Sequence, residues 1–178
     1  MKRRAVFLDR DGVLTRAVMR EGRPYPPASA AEVEILPGVV EVLRGLKEAG
    51  FVLIVVSNQP DVARGTTPKE TVEAINAYLA ERLPIDRLIT CYHDDGDNCD
   101  CRKPRSGMLL TGAREFDLDL ASSYMVGDRW RDVEAGNAAG CKTIFIDYEY
   151  DEQRPQLSDF QVISMVEAAS IILMESGI

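Results

Sequence analysis

Ala5-Val6-Phe7-Leu8-Asp9-Arg10-Asp11-Gly12-Val13 is an apolar run that leads straight into two carboxylates and a glycine. Such a run reads as a buried strand that ends in polar chemistry. In an extended backbone, residues i and i+2 point to the same side. Asp9 and Asp11 therefore serve one pocket, while Arg10 points away. Gly12 lets the chain turn without a Cβ clash. An ordinary polar turn uses the same residue types, so the decision rests on what stands at the other strand ends.

Outward from this stretch, strand-like and helix-like runs alternate. Further strands are predicted at Val52–Ser57, Leu88–Tyr92, Ser123–Val126 and Thr143–Ile146, with a short one at Gln161–Ile163. Between them, Pro37-Gly38 opens a helix that carries Val39, Val42, Leu43 and Leu46 on one face. Thr67-Pro68-Lys69-Glu70 reads as a capping box with proline at the first helical position. Val72, Ile75, Leu79 and Leu83 follow at helical spacing as core. Further helices are expected over Met108–Phe116, Asp132–Ala139 and Met165–Met174. This alternation predicts an α/β fold, a mostly parallel sheet with helices on both faces. Residues 16–36 are less regular and read as a loop or flap over the end of the first strand.

The length of 178 residues suits a single domain, 1–178. No apolar run approaches the ~20 residues of a membrane span, and the basic start is too soon acidic for a signal peptide. The expected location is the cytoplasm. A formal net charge of −8 argues against nucleic-acid and anionic-membrane partners. The expected partner is a small phosphate ester, held by a few local cations or a metal.

Ligands of an open parallel sheet sit beyond the carboxyl ends of its strands. Those ends carry Asp9 and Asp11, then Ser57, Asn58 and Gln59, then Cys91 to Lys103, and finally Asp128 and Asp132. Together they form a phosphoryl-transfer set. Asp9 is the candidate nucleophile, since a carboxylate can form an aspartyl-phosphate. Asp11 is placed to protonate the leaving oxygen and then to activate water. Ser57 and Lys103 are expected to bind the phosphoryl oxygens. Asp9, Asp128 and the backbone carbonyl near Asp11 suit Mg²⁺, a hard ion that favours oxygen, with Asp132 in support.

Cys91-x-His93-x5-Cys99-x-Cys101 offers three thiolates and the chain's single imidazole. That set fits a closed, tetrahedral, structural Zn²⁺ site. A clamp at Cys101 would fix where Arg102 and Lys103 point. The acidic residues of Asp94-Asp95-Gly96-Asp97 are expected to face solvent, and Cys141 to be a core cysteine.

The four motifs Asp9-Arg10-Asp11-Gly12-Val13, Ser57-Asn58-Gln59, Lys103-Pro104 and Gly127-Asp128-Arg129-Trp130-Arg131-Asp132 resemble those of the haloacid dehalogenase (HAD) superfamily of aspartate-nucleophile phosphatases. The resemblance implies a Rossmann-like fold, Mg²⁺ dependence and the roles given above. Val13 stands where the family pattern usually has threonine. Only 43 residues separate Val13 from Ser57, which leaves no room for a separate cap domain. The zinc loop with Cys101-Arg102-Lys103-Pro104 resembles the branch of heptose-bisphosphate phosphatases and histidinol-phosphatases. That branch implies a sugar-phosphate monoesterase, with histidinol phosphate as the alternative substrate. Asn58, Arg64 and Arg102 are the candidate substrate contacts, the two arginines for its distal part. A non-catalytic phospho-receiver or a zinc-stapled binding module is the alternative of a different class.

Overall fold

A computed structural model describes residues 2–177. In chain order the elements are β1 (Ala5–Leu8), β2 (Val18–Arg20), β3 (Arg23–Tyr25), α1 (Val39–Glu48), β4 (Val52–Asn58), α2 (Lys69–Arg82) and β5 (Arg87–Cys91). They continue with α3 (Gly107–Phe116), β6 (Tyr124–Gly127), α4 (Trp130–Ala139), β7 (Lys142–Ile146), β8 (Phe160–Val162) and α5 (Met165–Glu175). Six strands form one sheet in the order β5-β4-β1-β6-β7-β8. Every pairing in it is parallel.

β1 lies in the middle of this order because its four residues are apolar on both faces. Val6 and Leu8 join a core with Leu43 and Leu46 of α1, Ile75 and Leu79 of α2, and Ala168 and Ile172 of α5. Ala5 and Phe7 point the other way, into a second core with Met108 and Leu109 of α3 and Ala135 of α4. The period of two along β1 thus assigns each helix to its layer. The chain fills one side of β1 with β4 and β5, then returns to fill the other with β6, β7 and β8. The reversal opens a crevice beyond Leu8, where α/β sheets place their ligands. No helix among the described residues is long and apolar enough to cross a membrane.

The N-terminal end of β1 is pinned by one side chain. Ser123 is fully buried. Its Oγ accepts from the Ala5 N–H at 2.9 Å and donates to the Asp119 carbonyl at 2.6 Å. Ser123→Ala leaves a buried N–H without a partner, which costs about 1–3 kcal/mol. The expected result is a midpoint lowered by roughly 3–10 °C in thermal denaturation. Activity at the opposite end of the strand should persist.

Two local expectations are corrected. The capping box at Thr67 does not form: Pro68 takes the cap position with φ −61° and ψ 140°, and no side chain caps the helix. The Thr67 N–H is instead spent on the Asp61 carbonyl at 3.1 Å, which holds Thr67 in the preceding turn. Residues 18–25, read as part of an irregular flap, form an antiparallel hairpin. Its two-residue turn is Glu21-Gly22, both at positive φ, as tight hairpin turns require. The tip is held by the loop after β7, where the Asp151 N–H donates to the Gly22 carbonyl at 3.1 Å.

Candidate active site

The carboxyl ends of β1, β4 and β6 deliver the expected residues to one buried cluster. The Asp9 N–H donates to the Val126 carbonyl at 3.0 Å, so β6 carries the start of the first loop. Lys103 arrives from the segment after the zinc loop and is 2% exposed. Its Nζ lies 2.8 Å from Asp9 Oδ1, 2.6 Å from Asp132 Oδ1 and 2.7 Å from the Val56 carbonyl. Burial works against the ammonium charge, but Asp132 and Asp9 outweigh it and raise the Lys103 pKa above the ordinary lysine value. Lys103 is therefore a fixed cation beside the Asp9 carboxylate.

Asp128 has the opposite balance. It is 1% exposed, and neither carboxylate oxygen has a hydrogen-bond partner. Burial, with Asp9 and Asp132 nearby, pushes its carboxyl well above the usual range. Asp132 is pushed up to about 6, chiefly by burial and further by Asp9, with Lys103 opposing. One oxygen from each of Asp9, Asp128 and Asp132 lies within 4.8 Å of the others. Three buried carboxylates with one orphaned pair of oxygens fit a hard divalent cation. Asp132 has both oxygens engaged, Oδ1 with Lys103 and Oδ2 with the Arg129 N–H at 3.0 Å. Gly12 completes this corner with φ +93°, and a Cβ there would come 1.9 Å from Asp128 Oδ2. The first and last motifs touch, and only glycine fits between them.

Asp11 is oriented by three neighbours. Its Oδ2 accepts from Arg10 Nε at 3.0 Å and Gln59 Nε2 at 3.1 Å, and its Oδ1 from Thr15 Oγ1 at 3.2 Å. Arg10 leaves the pocket side as expected, yet it is fully buried rather than idle. Its NH1 donates to Asn76 Oδ1 at 2.9 Å, which ties Asp11 to α2. The Ser57 hydroxyl is buried and accepts from Gln59 Nε2 at 2.9 Å, so Gln59 links Ser57 to Asp11.

A cavity of about 240 Å³ opens over this cluster. Asp9, Asp11, Lys103 and Asp132 form its floor. Arg23, Pro24 and Tyr25 of the hairpin, Asn58 to Asp61, Arg64, Arg129 and Arg131 form its walls. Asn58 lines it, but its amide is committed to Lys103: Nδ2 donates to the Lys103 carbonyl at 3.0 Å, and Oδ1 accepts from the Lys103 N–H at 3.1 Å. Arg64 lines it and is held by both oxygens of Asp94 at 2.7 Å. Arg102 does not line it. That side chain is 9% exposed and donates through Nε to Asp95 Oδ1 at 2.8 Å. Asp95 and Asp97 face solvent as expected and Asp94 does so in part, and Asp94 and Asp95 also serve as acceptors for Arg64, Arg102 and Arg131. Arg10, Gln59, Arg129 and Arg131 stood in the quoted motifs without a role in the site, and Arg23 stood in the flap. The only available signal was their adjacency to motif residues.

The zinc-loop residues converge as well. Cys91 Sγ lies 3.7 Å from Cys99 Sγ and 3.0 Å from Cys101 Sγ, and Cys101 Sγ lies 3.4 Å from Cys99 Sγ. His93 Nδ1 is 3.6 Å from Cys91 Sγ and 3.3 Å from Cys101 Sγ. A tetrahedron with centre-to-sulfur bonds of about 2.3 Å has edges of about 3.8 Å, close to these spacings. Despite burial, the Arg102 N–H and the neighbouring thiols pull Cys99 down to about 7, near the thiolate form that a metal binds. Cys141 stands apart in the second core, where burial pushes its thiol up to about 12.

Comparison with known proteins points the same way. A family model described as HAD-hydrolase-like matches residues 100–159, the part that carries Lys103, Asp128 and Asp132. D-glycero-beta-D-manno-heptose-1,7-bisphosphate 7-phosphatase of Yersinia pestis is 36% identical over 151 positions, covering 78% of this chain and 77% of its own. The protein of the same name from Escherichia coli K12 is also 36% identical, with 78% and 76% covered. The crystal structure of D,D-heptose 1,7-bisphosphate phosphatase from B. bronchiseptica, complexed with magnesium and phosphate, superimposes with a TM-score of 0.82. It is 29% identical and covers 97% of this chain and 99% of that one.

Proposed function

The chain belongs to the haloacid dehalogenase family of phosphatases, and we propose that it is a Mg²⁺-dependent enzyme acting on D-glycero-D-manno-heptose 1,7-bisphosphate or a closely related sugar phosphate. The observation that carries the chemistry is the buried trio of Asp9, Lys103 and Asp128 under one cavity. The likeness to the heptose phosphatases supports the sugar.

In this reading the Asp9 carboxylate attacks phosphorus while the ester P–O bond breaks. The leaving oxygen takes a proton from Asp11. Water then attacks the aspartyl-phosphate, gives its proton to Asp11, and phosphate departs with Asp9 restored. Lys103 holds a phosphoryl oxygen, and Ser57 supports that position. Gln59 and Arg10 keep Asp11 aimed. Asn58 acts by fixing the Lys103 backbone. Asp9, Asp128 and the Asp11 carbonyl would hold Mg²⁺, flanked by Asp132. When bound, Mg²⁺ neutralises the charge that would otherwise set these carboxylates against a phosphate. Cys91, His93, Cys99 and Cys101 would hold a structural Zn²⁺. A reduced or metal-bound cysteine set suits the cytoplasm.

The metal reading has a thermal test. Asp132 stands at about 6 against an ordinary 3.8, so the metal-free folded state binds more protons than the unfolded one between those values. The stability of metal-free protein then falls as pH rises through that window. Magnesium replaces those protons, so its stabilisation should be larger at pH 8 than at pH 5. At one hundred times the dissociation constant the gain is about 2.7 kcal/mol, or roughly 5–10 °C in midpoint. Equal shifts at both pH values, or none, would count against a cation at these carboxylates. The substrate is tested by phosphate release over heptose 1,7-bisphosphate, other sugar phosphates and histidinol phosphate, with Mg²⁺ present. Turnover of histidinol phosphate without turnover of the heptose ester would reverse the assignment.

A further inference from the structure

We propose that Asn76 and Thr90 are positioning residues for the reaction. They hold Arg10, and through it the aim of Asp11, although neither side chain reaches the substrate cavity. The inference rests on the phosphatase reading, since Asp11 has a proton to move only if a phosphate ester is cleaved at Asp9.

Arg10 is a fully buried guanidinium with few partners. Its Nε donates to Asp11 Oδ2 at 3.0 Å and its NH1 to Asn76 Oδ1 at 2.9 Å. NH2 lies 2.9 Å from the same Asp11 oxygen but makes no aligned hydrogen bond. Asn76 thus supplies the second of the two hydrogen bonds that fix this side chain. A guanidinium only donates, so the Asn76 amide has to turn its oxygen towards Arg10 and its nitrogen away. That nitrogen meets Thr90 Oγ1 at 3.1 Å, an oxygen able to accept. Each link of the line therefore has one direction.

The line closes on itself. Thr90 of β5 is in register with Ser57 of β4. Gln59 Nε2 donates both to Ser57 Oγ and to Asp11 Oδ2. The Asp11 carboxylate is thereby gripped twice, by Gln59 from the end of β4 and by Arg10 through α2 from β5. Asn76 and Thr90 line a separate groove with Ala80, Ile85 and Tyr92. Neither lines the cavity over Asp9 and Lys103. Their contribution is therefore not substrate contact. Without the Asn76 oxygen, NH1 becomes a buried donor that lacks a partner, and Arg10 shifts to recover one. The loss falls on the two proton transfers of Asp11 and spares binding.

Esters with different leaving groups test this. A sugar alkoxide needs a proton as it leaves and nitrophenolate does not, but both routes need a base for the water step. Asn76→Ala should cut kcat on the sugar phosphate roughly tenfold and leave KM within about twofold, a fraction of what acid–base catalysis commonly supplies. With p-nitrophenyl phosphate, the first nitrophenolate per chain should still appear at the wild-type rate, followed by slow turnover. Thr90→Val should lower kcat in the same way, and Thr90→Ser should restore it. Each variant is assayed well below its own thermal midpoint. If Asn76→Ala does not fold, the Thr90 pair decides alone. An unchanged kcat in either variant, a raised KM in place of a lowered kcat, or a first turnover slowed as much as the later ones would overturn the inference and leave the phosphatase reading standing. A wild type that hydrolyses no phosphate ester overturns the phosphatase reading and this inference with it.

Discussion

Asp9→Asn should abolish phosphate release, by at least about 10⁴-fold, while the protein stays folded. A loss of that size is roughly 5.5 kcal/mol of transition-state stabilisation. An amide has the shape of the carboxylate but not its nucleophilic oxygen, so no aspartyl-phosphate forms. Stability should hold because the substitution removes one carboxylate from a site that has too many. Asp128 has two orphaned oxygens and is pushed above its ordinary range by burial and then by Asp9. Lys103 keeps Asp132 at 2.6 Å and the Val56 carbonyl at 2.7 Å. The checks are phosphate release and circular dichroism on the same preparation. Residual activity above a hundredth of the wild type would remove Asp9 as nucleophile, and with it the scheme above. An intact fold with unchanged function would favour a non-catalytic module.

The second large effect is expected from the zinc loop. Cys101→Ser should take zinc from one per chain to none, lower the thermal midpoint by more than 10 °C and cut kcat/KM by more than 10²-fold. Structural zinc in small domains contributes about 10–16 kcal/mol, comparable with the whole net stability of an ordinary domain. Here the loop from Asp94 to Asn98 has no apolar anchor of its own. Cys101 is followed directly by Arg102 and Lys103, and Lys103 carries the cation of the active site. Its backbone is otherwise restrained by the paired hydrogen bonds from Asn58 and a long contact from Arg131 NH1 to its carbonyl at 3.5 Å. Releasing Cys101 should let Asp94 and Asp95 drift, and with them the arginines they hold. Metal analysis of protein purified under reducing conditions decides the matter. A wild type that is stable and active without zinc would leave the four residues as a cluster of thiols.

Much of the candidate site was legible because its members stand at strand ends. The four apolar residues of β1 could only be a buried strand, and parallel strands send their carboxyl ends to one edge. Asp9, Lys103, Asp128 and Asp132 meet there although they are far apart in sequence. The zinc-loop set was legible because a lone histidine among three cysteines is hard to place otherwise. The hairpin at residues 18–25 was obscured by Pro24, Pro26 and Pro27, which read as loop. Its pairing depends on the Glu21-Gly22 turn and on support from Asp151, and a residue more than a hundred positions away leaves no local trace.

Charge partners were the least legible feature. Arg102 follows a zinc-ligand candidate and precedes Lys103, so it was expected in the substrate pocket. Asp95 takes it instead. Arg131, which stands in the last motif without an assigned role, and Arg23 of the flap line the cavity instead. A long side chain can reach several positions from one backbone site, and its choice depends on which opposite charges the fold brings near. Asn58 shows the same effect, since its amide is used on the Lys103 backbone before any ligand arrives.

By itself, the sequence determined the alternation of strands and helices, the buried first strand, the carboxylates at its end and the grouping of the cysteines with His93. These follow from local patterns of apolar spacing and from residue types with few alternative uses. The tertiary structure alone decided how the charges around the cavity are paired, because that depends on distances between residues remote in the chain. Asp9 and Asp11 could be recognised in the first strand-turn, but their partners Lys103, Gln59 and Arg10, and the pairing of the arginines around the cavity, follow from how the six-stranded sheet and its helices close around β1.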